Sequence, residues 1–384
     1  MARWDDGYVT DVVYTTNFYR EITPSWLGMT CLLLGHRAPD LSGPFRYADL
    51  GCGNGFTTLA VAASCPQAEV WGFDFNPAHV EFASGLAARA GLTNVHFAET
   101  SFADLAGLPD TALPDFDFMV SHGVLSWISP ENRRHLIATI AKRLKPGGVS
   151  YLSYNVTTGW TSMVPVRALM RALAQASPER TDLAVPGILD FIDRLKQGGA
   201  LFFAANPAIE NRLKDIRQQD PRYIAHEYLN QDWHPLSFAE IAGEMAEAKC
   251  RFIGSATLPE NIDSVSVPQG IAPILAETRH AGFRDGRNIG QRGRALAACD
   301  TEHVELPGLR VRNRLGDVRK RDSHFAAEHR EERRPSALVL DGDHVHVPQY
   351  VEQLTREVEP GPGHRRSHRN SALGFCLFSS LERF

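Results

Sequence analysis

Around residue 50 the sequence reads Tyr47-Ala48-Asp49-Leu50-Gly51-Cys52-Gly53-Asn54-Gly55. A short apolar run ends at Leu50, and three alternate glycines follow at once, separated by Cys52 and Asn54. Glycine reaches backbone conformations closed to other residues and leaves space where a ligand must approach the main chain. A helix opening just after such a turn offers unpaired N–H groups and the positive end of its dipole. That is chemistry for cradling a nucleotide-like ligand. Asp74 closes the next apolar run, about 20 residues on, where a carboxylate can accept from ribose hydroxyls. Dinucleotide-binding turns have the spacing Gly-x-Gly-x-x-Gly. Here the spacing is Gly-x-Gly-x-Gly, and Phe56 occupies the position where that motif has its last glycine.

These residues need elements to hold them. Residues 8–38 read as helical, with Tyr14, Phe18, Trp26, Leu27, Leu32 and Leu33 apolar. Strands are expected over 47–50, 69–74, 94–98, 116–121 and 149–155, with helices over 56–64, 77–90 and 131–144. Lys145-Pro146-Gly147-Gly148 stops the last of these helices. Strands alternating with helices of this length imply a mostly parallel, doubly wound sheet, an α/β Rossmann-like fold. Ligands bind such sheets at the carboxyl ends of the strands. That places Ser121, His122 and Gly123 at the carboxyl end of the fourth strand, and Tyr154 and Asn155 ending the fifth, around the reacting atoms. From Thr158 to about Leu236 the alternation gives way to helix formers, a helical insertion or second domain. Ser237 then caps a helix reaching Ala248, with Glu240 three residues on, and 251–254 reads as a sixth strand.

Composition excludes several classes. The chain has 384 residues, 22% of them charged, and a formal net charge of -5, which gives no electrostatic reason for a nucleic-acid partner. No stretch approaches the roughly 20 apolar residues that span a bilayer, so no membrane partner is expected. The six cysteines are scattered without a Cys-x-x-Cys pair, which fits a cytoplasmic chain with free thiols. His226 and Glu227 are adjacent and so do not share a helix face, and no metal site is expected. Past Ala281, arginine and histidine accumulate while Lys320 is the lone lysine. Residues 284–384 therefore read either as a basic tail without fixed structure or as a stretch translated out of its ancestral frame. Within it, 337–347 has the pattern of a hairpin turning at Asp341-Gly342.

Residues 45–155 resemble a class I S-adenosylmethionine-dependent methyltransferase. The likeness rests on Asp49 to Gly55, on Asp74 after the second strand, and on Leu144-Lys145-Pro146-Gly147-Gly148 before the fifth. It implies S-adenosylmethionine as cofactor, with Gly51, Gly53 and Gly55 along its methionine part and Asp49 near its amino group. Asp74 would hold the ribose and Phe75 would flank the adenine, with Cys52, Asn54, Asn76, Phe102, Ser121 and Tyr14 completing the pocket. Many members carry an aspartate after the third strand; this sequence has Thr100-Ser101-Phe102, so Ser101 would offer a weaker hydrogen bond there. A narrower resemblance covers about residues 8–283. Tyr151 to Asn155 with Gly159-Trp160, His226 to Leu229, and Phe238 to Leu258 are similar to bacterial methyltransferases with a methyltransferase regulatory domain. That group includes lysine methyltransferases of rickettsial outer-membrane proteins, so the implied acceptor is a protein lysine or another nucleophile, including a small molecule.

The resulting organisation is an N-terminal helical lid (1–40), a cofactor domain (41–157), a helical regulatory region returning to the sheet near 250–258 (158–283), and an irregular tail (284–384). His122 stands as a general base or as a packed loop histidine; Tyr154 and Asn155 as groups orienting the acceptor. Tyr14, Phe18 and Tyr19 are candidates for a lid. Competing functions are an NAD-type oxidoreductase and a catalytically inactive S-adenosylmethionine-binding regulator. The oligomeric state is open.

Overall fold

The computed structural model describes residues 7–12, 16–276 and 373–380. Seven strands form one sheet: β1 (Phe45–Leu50), β2 (Ala68–Asp74), β3 (Val95–Glu99), β4 (Phe116–Ser121), β5 (Leu144–Asn155), β6 (Cys250–Ser255) and β7 (Leu373–Ser380). Their order across the sheet is β3-β2-β1-β4-β5-β7-β6. The first five run parallel, and β7 lies antiparallel to both β5 and β6. The order reverses between β1 and β4, which opens the crevice where such sheets bind ligands.

Helices alternate with the strands: α1 (Pro24–Leu33), α2 (Phe56–Ser64), α3 (Pro77–Arg89), α4 (Phe102–Gly107) and α5 (Pro130–Arg143). Between β5 and β6 come α6 (Thr157–Trp160), α7 (Val164–Ala176), α8 (Thr181–Gln197), α9 (Leu201–Ala205), α10 (Ala208–Arg217), α11 (Pro221–Tyr228) and α12 (Phe238–Glu247). Several starts are written in the sequence. Asn76, Ser129, Asp220 and Ser237 each accept a backbone N–H of the first helical turn, and Pro follows the first three caps.

One sheet face buries Tyr47, Phe118, Val120 and Tyr151 under α1 and α2. The other buries Leu50, Met119, Leu152 and Tyr154 under α4, α5 and α12. A separate core of Trp160, Met170, Ile188, Ile192, Leu213 and Tyr228 holds the helical region together, and Trp127 reaches into it from the loop after β4. The helical insertion thus has an apolar interior of its own.

Three expectations are corrected. Residues 8–38 were expected as helix, yet helix is confined to α1 and a short 3-10 turn, Arg20–Ile22. Val9, Thr10, Val12 and Thr16 are β-branched and disfavour helix, and the described residues before Tyr19 form an irregular strap. Second, β5 begins at Leu144, so the Lys145-Pro146-Gly147-Gly148 turn is part of the strand and produces a register shift against β4 between Phe116 and Phe118. Third, the tail is not wholly irregular. Residues 373–380 read Leu-Gly-Phe-Cys-Leu-Phe-Ser-Ser, a β-prone apolar run, and supply the antiparallel strand that keeps β6 from standing beside β5. The hairpin expected over 337–347 lies outside the described residues.

Candidate functional site

The glycine turn leaves β1 at the switch point and is pinned to β2. Gly51 and Cys52 N–H donate to the Phe73 carbonyl at 2.8 and 3.0 Å. Gly51, Gly53 and Gly55 hold φ of +82°, +56° and +70°, where other L-residues are strained. Their surroundings differ. A Cβ on Gly51 would stand 2.6 Å from Val124 Cγ2, and one on Gly55 would meet the Phe97 ring at 2.7 Å and Ala83 Cβ at 2.8 Å. A Cβ on Gly53 would have no neighbour within 4 Å, and this residue lines the cavity at the switch point. Gly55 serves packing; Gly51 and Gly53 line the cavity, and at Gly53 the main chain is left open.

Two carboxylates flank the turn. The Oδ2 of Asp74 accepts from Gly53 N–H at 2.8 Å, and Oδ1 accepts from Asn76 N–H at 2.9 Å and lies 3.2 Å from His79 Nδ1. A carboxylate offers about four acceptor positions, so sites remain toward the cavity that Asp74 lines. Asp49 is buried and accepts the Thr58 hydroxyl at 2.7 Å. Burial pushes its carboxyl up to about 7; the Thr58 bond opposes this and the Asp74 charge adds to it. A cation arriving beside Asp49 would relieve both burial and repulsion.

Other expected residues divide into cavity wall and scaffold. Cys52, Asn54, Phe75, Ser101, Phe102, His122 and Gly123 line the cavity. Asn54 donates to Thr16 Oγ1 at 2.9 Å, and Asn76 caps α3 by accepting Ala78 N–H at 3.0 Å. Ser101 caps α4 and also donates to Asp104 at 2.7 Å, so its hydroxyl is engaged at the adenine end of the expected site. Burial pushes the Cys52 thiol well up, which suits a filler better than a nucleophile. Ser121 is fully buried and donates to Leu50 O at 2.8 Å, tying β4 to β1 away from the cavity lining. Tyr154 is in the apolar layer under α12 with Leu236 and Phe238, also outside the lining. Phe18 is 45% exposed and does not line the cavity, whereas Tyr19 does. Tyr14 lies outside the described residues.

His122 lies 2.9 Å through Nδ1 from the Tyr151 hydroxyl, and Tyr19 covers its ring at 3.9 Å between centroids. Burial lowers its pKa to about 3. A neutral imidazole this weakly basic is poorly matched to proton abstraction near pH 7. Asn155 is fully buried at the end of β5. Its amide stands next to the Glu227 carboxyl and favours its ionised form, yet neither amide atom completes a hydrogen bond of ordinary geometry.

Two family models match parts of the chain. Residues 48–148 match the family described as a methyltransferase domain, and residues 220–286 match the predicted methyltransferase regulatory domain. Residues 48–148 thus carry a methyltransferase domain. An uncharacterised Synechocystis protein is 36% identical over 316 residues, 79% of this chain and 62% of that protein. The chain therefore spans less than two thirds of this relative. Trans-aconitate 2-methyltransferase of Methylobacterium radiotolerans is 32% identical over 168 residues, 44% of this chain and 58% of that enzyme. The structure of PKMT2 from Rickettsia typhi in complex with AdoHcy shares the fold, with a TM-score of 0.61 and 23% identity over 74% of this chain and 53% of that one.

The methyltransferase domain does not enclose its cavity alone. The loop after β4 is laced to β5, with Gly123 N–H donating to Ser153 Oγ at 2.7 Å and Asn155 N–H to Ser126 Oγ at 2.8 Å. It also meets the regulatory segment, where Trp127 Nε1 donates to the Glu227 carbonyl at 3.2 Å. The N-terminal strap joins the two parts. At one end Gly7 O accepts from Gln231 N–H at 2.8 Å, Val9 N–H donates to Asn230 Oδ1 at 2.8 Å, and Val12 O lies 2.9 Å from His226 Nε2. At the other, Tyr19 N–H donates to Thr57 Oγ1 on α2 at 3.0 Å. Tyr8, Asn17, Tyr19 and Trp127 line the cavity as a result. Tyr8, Asn17 and Trp127 were not expected there; only contacts between distant segments bring them in.

Proposed function

We propose that this protein transfers a methyl group from S-adenosylmethionine to a nucleophilic acceptor, and that the acceptor is a lysine amine of a protein. The observation that carries the first part is Gly53, whose exposed main chain at the switch point is bracketed by Asp49 and Asp74. In this reading Gly51, Gly53 and Gly55 shape the methionine part of the site, Asp49 receives its ammonium, and Asp74 receives the ribose hydroxyls. Phe75, Ser101 and Phe102 flank the adenine, and Asn54 and Asn76 hold the two turns in shape. The bound sulfonium supplies an electrophilic methyl group. The chain itself needs to position the acceptor in line and keep water away.

Support comes from the bound AdoHcy named for the rickettsial neighbour and from the methyltransferase named among the relatives. The lysine assignment rests on the resemblance over both segments to rickettsial lysine methyltransferases. We place the reaction in the cytoplasm, in keeping with the free thiols of Cys31, Cys52, Cys65 and Cys250. The Gly-x-Gly-x-Gly spacing and Phe56 argue against NAD. Calorimetric titration with S-adenosylhomocysteine and separately with NAD tests the cofactor, with micromolar binding of the first and none of the second expected. Radiolabelled methyl transfer into lysate protein, followed by mass analysis of the labelled residue, tests the acceptor. Binding without labelled product would instead favour an inactive regulator.

A further inference from the structure

The cavity has a wall that the methyltransferase domain does not supply. Tyr8, on the strap, lines it together with Phe75, the residue after β2. The two rings meet edge to face, with 5.8 Å between centroids and 85° between planes. Rings set at right angles form a corner, and a flat ligand stacked on one abuts the other. Tyr8 is held at this corner from the regulatory segment. Its ring lies 5.5 Å from that of His226 on α11, and His226 Nε2 is 2.9 Å from Val12 O. Both chain neighbours of Tyr8 are tied as well: Gln231 N–H donates to Gly7 O, and Val9 N–H donates to Asn230 Oδ1, each at 2.8 Å. These contacts fix the position of one ring, and that ring faces the cavity instead of being covered by the helices. The residues after β3 offer a base much less. Thr100, Ser101 and Phe102 line the cavity there and include no carboxylate. The Ser101 hydroxyl spends its proton on Asp104 Oδ2 at 2.7 Å and accepts Asp104 N–H at 3.1 Å.

We infer that Tyr8 is a donor-binding residue that packs on the purine with Phe75, and that this aromatic corner, not a group reading the amino edge, holds the base. This rests on the methyltransferase reading above, with Asp74 on the ribose. Stacking is tolerant of which base is present, because every base has a π-face. Discrimination comes from buried groups built to hydrogen-bond one edge, which reject an analogue that cannot match them. A carboxylate after β3 would act in that way, accepting from the adenine amine and repelling the carbonyl oxygen that replaces it in hypoxanthine. Ser101 is uncharged and its proton is already committed, so it exerts far less of that selection. The site should therefore take an S-adenosyl ligand and its S-inosyl counterpart with similar affinity. The regulatory segment is then part of the donor site, because it is the segment that sets Tyr8.

The test uses the full chain, Tyr8→Phe and Tyr8→Leu, with S-adenosylhomocysteine and S-inosylhomocysteine as probes. In calorimetric titrations Tyr8→Leu should bind S-adenosylhomocysteine at least tenfold more weakly than wild type, and Tyr8→Phe within about threefold of it. Wild type should prefer S-adenosylhomocysteine to S-inosylhomocysteine by less than tenfold. A purely structural role for Tyr8 is separated by spectroscopy. With carbon-13 in the tyrosine rings, purine H2 or H8 of bound S-adenosylhomocysteine should show a nuclear Overhauser contact to one tyrosine, and that contact should vanish in Tyr8→Phe. A smaller loss in folded Tyr8→Leu, a larger one in Tyr8→Phe, an adenosyl preference of tenfold or more, or no purine contact to Tyr8 would each overturn the inference. Were Tyr8→Leu to unfold, as circular dichroism would show, the Overhauser contact and the inosyl comparison would still decide it. Failure of the wild type to bind either ligand would instead remove the methyltransferase reading beneath it.

Discussion

Asp49 is held in a costly state, and Asp49→Asn should expose that cost. Its carboxyl is raised from an ordinary 3.8 to about 7, on the order of 4 kcal/mol of disfavoured ionisation once the pH exceeds 7. The sign follows from proton binding. Between about pH 4 and 7 the folded chain holds a proton on Asp49 that the unfolded chain has lost, so raising the pH through this window destabilises the fold. Above 7 the loss is complete and constant. Asparagine keeps an oxygen to accept the Thr58 hydroxyl and carries no charge, but its new N–H donors need partners, at a cost of about 1–3 kcal/mol if unmet. Asp49→Asn should therefore be more stable than wild type by about 2 kcal/mol at pH 8, with the gain falling to zero near the middle of the window and turning into a loss of about 2 kcal/mol near pH 4. Urea denaturation at pH 8, 6 and 4.5 measures it. The same variant should bind S-adenosylhomocysteine at least tenfold more weakly, because the carboxylate assigned to the ligand's ammonium is gone. A variant less stable than wild type at pH 8, or a gain independent of pH, would refute the reasoning.

The glycines should separate by role. Gly55→Ala drives a methyl into Phe97 and Ala83 and should cost several kcal/mol, seen as insoluble or unfolded protein. Gly53→Ala meets open space and should cost only the about 1–2 kcal/mol of left-handed backbone strain, yet weaken S-adenosylhomocysteine by tenfold or more in a calorimetric titration. Ser121→Ala removes the bond to Leu50 O and should lower stability by about 1–2 kcal/mol while leaving S-adenosylhomocysteine affinity unchanged. The His122 ring should show no titration between pH 5 and 8 in proton–nitrogen correlation spectra; an inflection in that range would return it to the list of bases.

Legibility in the sequence followed the range of the interactions. β4 and α2 fall where the apolar runs and glycine punctuation put them, because burial on a parallel sheet and local turn chemistry act over a few residues. Asp49, Gly53 and Asp74 come together because adjacent parallel strands end at one edge. Other side chains needed knowledge of which sheet face or partner they would meet. Tyr154 and Ser121 sit at strand ends, as expected for acceptor contacts, but strand alternation points Tyr154 into the α12 layer and turns Ser121 onto Leu50. Tyr8 reaches the cavity through pairings across more than 200 residues, such as Val9 with Asn230, and no local signal marks that.

Residues 7–12 and 16–19 give the two domains a shared wall. Its far end is hydrogen-bonded to the residues after α11, and its near end to α2 beside the glycine turn. Tyr8 and Tyr19 both line the cavity, so filling it with ligand is expected to be felt at Asn230 and Gln231, which hold Val9 and Gly7. By reciprocity, anything that settles or loosens those residues changes the affinity for the donor by the same factor. Amide hydrogen exchange should show this directly, as slower exchange at Val9 and Gln231 when S-adenosylhomocysteine is bound. Such an outcome would give the helical region a handle on the cavity that needs no movement of the sheet.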